Sequence, residues 1–139
     1  MSTYVMADIH GEIDRYHAML DLINFSADDQ LYIIGDIIDR GSEGLTILQE
    51  IMDKGNVHFI LGNHEDMMLG TLSQHSYPGA RTMWKQNGGD KTYRELLYHM
   101  TSADRERILA YCLTRPAILT NPYRRLACLR LEDMAEYYV

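Results

Sequence analysis

The chain has 139 residues, 46% of them hydrophobic, and a formal net charge of −7; at this length roughly 68% of the unfolded surface is buried in one core, so a single domain over 1–139 is expected. The charge is unevenly divided, with 13 acidic and 3 basic side chains in residues 1–70 against 7 and 10 in residues 71–139. An acidic first half suits cations and repels a nucleic-acid backbone, and the second half falls short of a polybasic patch, which excludes nucleic acid as a partner.

In chain order, 3–7 reads as a strand, and a loop at 8–11 leads into an amphipathic helix over about 12–23. Its Ile13, Tyr16, Met19, Leu20 and Ile23 repeat at helical spacing. A polar turn over 26–30 precedes a second strand at 31–34. Ser42 is the expected N-cap of a helix over 43–52, which Lys54-Gly55-Asn56 stops. With a third strand at 57–61, the order strand, helix, strand, helix, strand predicts a parallel βαβαβ sheet. A short helix follows over 65–72. Residues 78–90 read as turn-rich, 91–100 as helical, and 102–113 as a helix capped by Ser102 and closed by Pro116. A strand at 117–120, a turn at 121–123 and a helix over 131–138 complete the chain. No apolar run is long enough to span a bilayer, and Cys112 and Cys128 make no close metal-binding pair, so membrane association is excluded and the reducing cytoplasm is expected.

Each of the three strands of the first half ends in a polar, glycine-marked turn: Asp8-Ile9-His10-Gly11, Gly35-Asp36-Ile37-Ile38-Asp39-Arg40-Gly41 and Gly62-Asn63-His64-Glu65. Strand ends of one sheet can bring these side chains together. Asp8 and His10 offer a carboxylate and an imidazole, a mixed set suited to manganese, iron or zinc. Asp36 can bridge two ions through its two oxygens, and Asn63 offers a neutral amide oxygen. Two divalent ions about 3.5–4 Å apart polarise a phosphate and supply a nucleophilic water near neutral pH. Arg40 can present two donors to phosphate oxygens. His64 is placed to protonate the leaving oxygen, with Asp39 orienting its ring.

Taken singly, each motif has a plainer explanation. Asp8 can cap a loop, Asp36 and Asp39 can solvate a turn with Arg40 as their salt-bridge partner, and His64-Glu65 can simply begin a helix. Three such turns in succession favour chemistry. The nine methionines are expected to fill the core, His58 to be a satisfied structural histidine and His17 to lie on a helix surface.

The three motifs, in this order and spacing over about residues 3–70, resemble the signature of the phosphoprotein phosphatases within the calcineurin-like metallophosphoesterase superfamily. The resemblance implies an α/β fold, a layered sandwich with an N-terminal βαβαβ unit and the metals at its mouth. It implies that Asp8, His10 and Asp36 hold one metal, that Asp36 and Asn63 hold a second, and that Arg40, His64 and Asp39 serve phosphate binding and proton transfer. The activity implied is hydrolysis of phosphomonoesters as in serine/threonine protein phosphatases, on a phosphorylated protein or a small phosphoester; the alternative is hydrolysis of dinucleoside polyphosphates, and a non-catalytic interaction role is a third. Ala7 stands where the family usually has glycine. Two further metal-binding histidines of the family have no counterpart, since only His75 and His99 follow His64. The expectation is therefore an incomplete, truncated sandwich whose uncovered sheet favours a homo-oligomer.

Overall fold

The computed structural model describes residues 1–116, 118–120 and 125–127. Strands β1 (Thr3–Ala7), β2 (Gln30–Ile34) and β3 (Val57–Ile60) form one parallel sheet in the order β1-β2-β3. Thr3 pairs with Gln30 and Ala7 with Ile34, and Leu31 pairs with Val57 and Ile34 with Ile60, so all three strands finish level. Their crossovers carry α1 (Ile13–Leu22) and α2 (Gly44–Ile51), as the periodicity predicts. The sequence positions of these elements differ from the observed ones by only a residue or two at each end.

The burial gradient runs across the sheet. On β2 and β3, Leu31, Ile33, Val57 and Phe59 lie in the core, where they join Leu45, Ile47, Leu48 and Ile51 of α2. Helix α2 is thus apolar on a broad face, and burying an aliphatic side chain of this size contributes about 1.5–3 kcal/mol before entropy is subtracted. Strand β1 is different. It alternates between exposed and half-buried, Val5 is half exposed, and α1 beside it buries only Tyr16.

The second half is helical: α3 (Asn63–Leu72), α4 (Ala80–Gln86), α5 (Asp90–Arg94) running into a π-helical turn at Glu95–His99, and α6 (Ser102–Leu113). An antiparallel pair of short strands follows, β4 (Ile118–Thr120) and β5 (Arg125–Ala127). Among the described residues no helix is long and apolar enough to cross a membrane. The expected turn at 121–123 and helix over 131–138 lie outside the described residues, as does Cys128.

Three local expectations need correction. Ser42 does not cap α2: that helix has no side-chain cap, and the backbone N–H of Glu43 is instead taken up by the carbonyl of Gly11, 3.2 Å away in the first turn. The cap of α6 is Thr101, one residue before Ser102; its hydroxyl accepts from the Asp104 N–H and donates to the Asp104 carboxylate. Residues 78–90 contain a helix. Their glycines flank it rather than break it, because Gly79 takes φ +84° just before Ala80 and Gly88 takes φ +93° just after Gln86. Between them Trp84 is fully buried in the core.

Candidate metal centre

The three turns that follow the strands are stitched together through their backbones. The N–H groups of His10 and Gly11 donate to the carbonyls of Asp36 and Ile37 at 3.0 and 2.7 Å, and the Gly41 N–H donates back to the His10 carbonyl at 2.9 Å. Gly41 is required by this approach, since a Cβ there would run into the His10 carbonyl. The third turn is tied in by one side chain. Glu65, wholly buried on the first turn of α3, accepts from the N–H groups of Asp36 and Gly62 through Oε2, at 2.9 and 3.2 Å. Its Oε1 accepts from Ile37 and Ile38 at 2.7 and 3.2 Å.

Backbone strain picks out the same place. Of the described non-glycine residues with positive φ, all but Asn24 are Asp8 (55°), His10 (45°), Asp36 (59°), Asp39 (72°) and Arg40 (68°). Left-handed conformations of non-glycine residues are held only where surrounding structure fixes them, and they gather at functional sites. Five residues singled out by side-chain chemistry thus also carry unusual backbone geometry.

Donor atoms of His10, Asp36 and His64 lie within 4.8 Å of one another, the metal-capable His/Cys/Asp/Glu group found among the described residues. His10 Nδ1 lies 3.0 Å from the Ile38 carbonyl, which fixes its proton there and leaves the Nε2 lone pair free. Asp8 stands at the solvent side, its carboxylate 3.8 Å from His10 Nε2. The Asn63 amide lies against Asp36, 3.0 Å from both carboxylate oxygens. Turned nitrogen-first it donates to both; turned oxygen-first it brings three oxygens together, an arrangement that a cation among them stabilises. Burial raises the Asp36 carboxyl above its usual range; the His64 N–H and ring oppose this, and the Asp8 carboxylate adds to it. Mixed oxygen and nitrogen donors around a crowded, buried carboxylate fit a divalent cation.

His64 and Asp39 are paired as the sequence predicts, with Nδ1 2.7 Å from Oδ2 and both side chains almost fully buried. Burial works against the imidazolium, but the Asp39 hydrogen bond and the charges of Asp36, Asp39 and Glu65 outweigh it and raise the His64 pKa. Its ring also sits edge-on to His10, centroids 4.8 Å apart, so it borders the ligand cluster rather than standing away from it. Arg40 is exposed, and among the described residues it forms no ion pair, so its plainer role as a salt-bridge partner of Asp36 or Asp39 is not what the structure shows. His75 and His99 are exposed and lie outside the cluster. His58 is satisfied by Gln30 at 2.7 Å and stacks on Tyr32, and His17 pairs with Glu50 on the surface.

Two residues that the motifs do not flag as functional are Glu65 and Trp84. Glu65 is legible only as a favourable first-turn acid of α3, yet it has four backbone donors. Trp84, hidden in a stretch that reads as turns, donates from Nε1 to Asp39 Oδ2 at 2.7 Å.

Comparison with known proteins supplies the remaining context. The calcineurin-like phosphoesterase family model matches residues 1–117. A symmetrical bis(5'-nucleosyl)-tetraphosphatase of Haemophilus ducreyi is 40% identical over 74 residues, 52% of this chain and 27% of that protein. The protein of the same name from Erwinia tasmaniensis is 30% identical over 128 residues, 91% of this chain and 42% of that protein. The crystal structure of a metallophosphoesterase from Sphaerobacter thermophilus matches with a TM-score of 0.58 at 15% identity, covering 86% of this chain and 43% of that one. The chain spans less than half the length of these two curated relatives.

Proposed function

Because the chain belongs to the calcineurin-like phosphoesterase family, we propose that its site serves metal-dependent hydrolysis of phosphate linkages and that the substrate is a dinucleoside polyphosphate. The observation that carries the chemistry is the convergence of His10, Asp36 and His64 donors within 4.8 Å at the level ends of three parallel strands. The name of the curated relatives supports the dinucleotide substrate over the serine/threonine phosphatase type. A symmetrical split of four phosphates leaves two on each nucleoside.

Asp8, His10, Asp36 and Asn63 would hold the metal, with Asp36 shared if there are two ions. Bound there, divalent ions polarise the phosphate and lower the pKa of a water so that hydroxide is available near pH 7. Arg40, exposed on the same turn as Asp36, would take two phosphate oxygens in a fork. His64 would deliver a proton from Nε2 to the departing oxygen, since Nδ1 is committed to Asp39. The oxygen and nitrogen donors suit manganese, iron and zinc alike.

Titration of the purified protein with manganese, followed by turnover of diadenosine tetraphosphate in competition with a phosphopeptide, tests both parts. Turnover that EDTA abolishes and a preference for the dinucleotide are expected; absence of metal-dependent turnover overturns the chemistry, and preference for the phosphopeptide overturns the substrate. Asp36→Asn is expected to weaken manganese binding, read by calorimetry, by at least about 10–100-fold, the loss typical even of an outer-shell partner.

A further inference from the structure

Helix α4 and the turn after it reach back to the second motif. Trp84 is fully buried, and its indole N–H donates to Asp39 Oδ2, the same oxygen that meets His64 Nδ1, both at 2.7 Å. Asp39 Oδ1 is buried and, among the described residues, has no hydrogen-bond partner. The direction of this carboxylate is therefore set by two groups. If His64 were the only one, Asp39 could not orient His64, because each would merely follow the other about a soft terminal torsion. Trp84 is the fixed member: Tyr93 packs edge-on against its ring at 6.0 Å, and the Gly89 N–H closes on its carbonyl at 2.8 Å.

The turn after α4 completes the grip. Gly89 lies so close on the indole that a Cβ would collide with the ring, and a Cβ on Gly88 would meet Arg40 Cγ at 3.3 Å. Two consecutive left-handed residues thus meet one distant segment: Asp39 is hydrogen-bonded by Trp84, 45 positions later, and Arg40 lies beside Gly88.

We propose that Trp84 is a positioning residue, its indole N–H fixing the Asp39 carboxylate so that Asp39 can aim His64, while the Gly88-Gly89 turn seats Arg40. The proposal rests on the hydrolase reading for the roles of His64 and Arg40, but the contact itself can be measured without turnover. Trp84 is the one tryptophan of the chain, so its indole gives a single nitrogen–proton cross-peak. In the wild-type protein that proton is expected far downfield and slow to exchange; a peak at the position of free tryptophan overturns the brace, whatever the protein hydrolyses.

Trp84→Phe keeps an aromatic ring and removes the donor. If proton delivery depends on the brace, turnover falls about 10-fold or more for phenyl phosphate, whose leaving group needs a proton, and less than about 3-fold for p-nitrophenyl phosphate, whose leaving group does not. An equal loss on both substrates, or none, overturns the positioning role. Gly88→Ala is expected to raise KM through Arg40 instead. A wild type inactive on diadenosine tetraphosphate as well as on both monoesters sinks the hydrolase reading and the catalytic consequence together; if it is active on the dinucleotide alone, the indole peak and the KM of Gly88→Ala for the dinucleotide decide the proposal. If Trp84→Phe does not fold, the wild-type peak and the KM of Gly88→Ala carry the test, and an unchanged KM there removes the Arg40 half.

Discussion

Glu65→Ala is expected to destabilise the protein by about 3–5 kcal/mol and to lower its melting temperature by roughly 10–15 °C, the largest stability effect of any single replacement at the site. The cause is the number of groups that depend on one carboxylate. Four backbone N–H groups, from Asp36, Ile37, Ile38 and Gly62, point at its two oxygens in a place with no exposure. Alanine leaves all four without an acceptor and removes the one side chain that gathers the backbone of the second turn onto the start of α3. Glutamine is a poor repair, since its NH2 would face donors. Thermal melts of the two variants check this; melting within a few degrees of wild type would show that water fills the vacated space.

The same residue makes stability depend on pH. Burial, reinforced by the Asp36 charge, raises the Glu65 pKa from 4.5 to about 7, against the pull of its backbone donors. A raised carboxyl pKa means that the folded form binds more protons than the unfolded chain between those values. The contribution is therefore fully present below about pH 4.5 and falls as pH rises to about 7, by up to about 3 kcal/mol, then levels off. Denaturant midpoints from pH 4.5 to 8, without metal, should show this component fall in the wild type and vanish in Glu65→Gln; an identical pH slope in both would refute it.

His64→Asn is expected to lower kcat by about 10²–10⁴-fold, the usual worth of a positioned general acid. The backbone survives the change, because the contact that places residue 64 is its N–H on Asp36 Oδ1 at 3.1 Å. The ring's position beside His10 and Asp36 gives this variant a second use. A proton donor can be removed while manganese affinity is retained, whereas a ligand cannot. Calorimetry beside kinetics separates the two roles, and lost metal binding would move His64 into the ligand set.

Much of this site is readable from residues because its three turns are short and each follows a strand that periodicity exposes. Level strand ends then do what spacing alone implies for His10, Asp36, Asn63 and His64. What could not be read lies where distant segments meet. Ser42 and Ser102 have the right chemistry for caps, but the carbonyl of Gly11 and the hydroxyl of Thr101 were closer to the N–H groups in need. Helix α4 is hidden by the glycines and proline around it. Its tryptophan gains its meaning only from a partner, Asp39, on another turn. Glu65 likewise reads as an ordinary first-turn acid until its four donors, three of them from the loop after β2, are in view.

The left-handed residues set stability and activity against each other in any selection experiment. Glycine at positions 8 or 40 would relax the backbone where φ is now 55° and 68°, yet each change deletes a carboxylate or the guanidinium. A library screened for thermostability alone should therefore drift toward glycine in these turns and lose function as it improves. Improvement that keeps the site intact has to come from elsewhere, and the loosely packed β1 and α1 side offers the room.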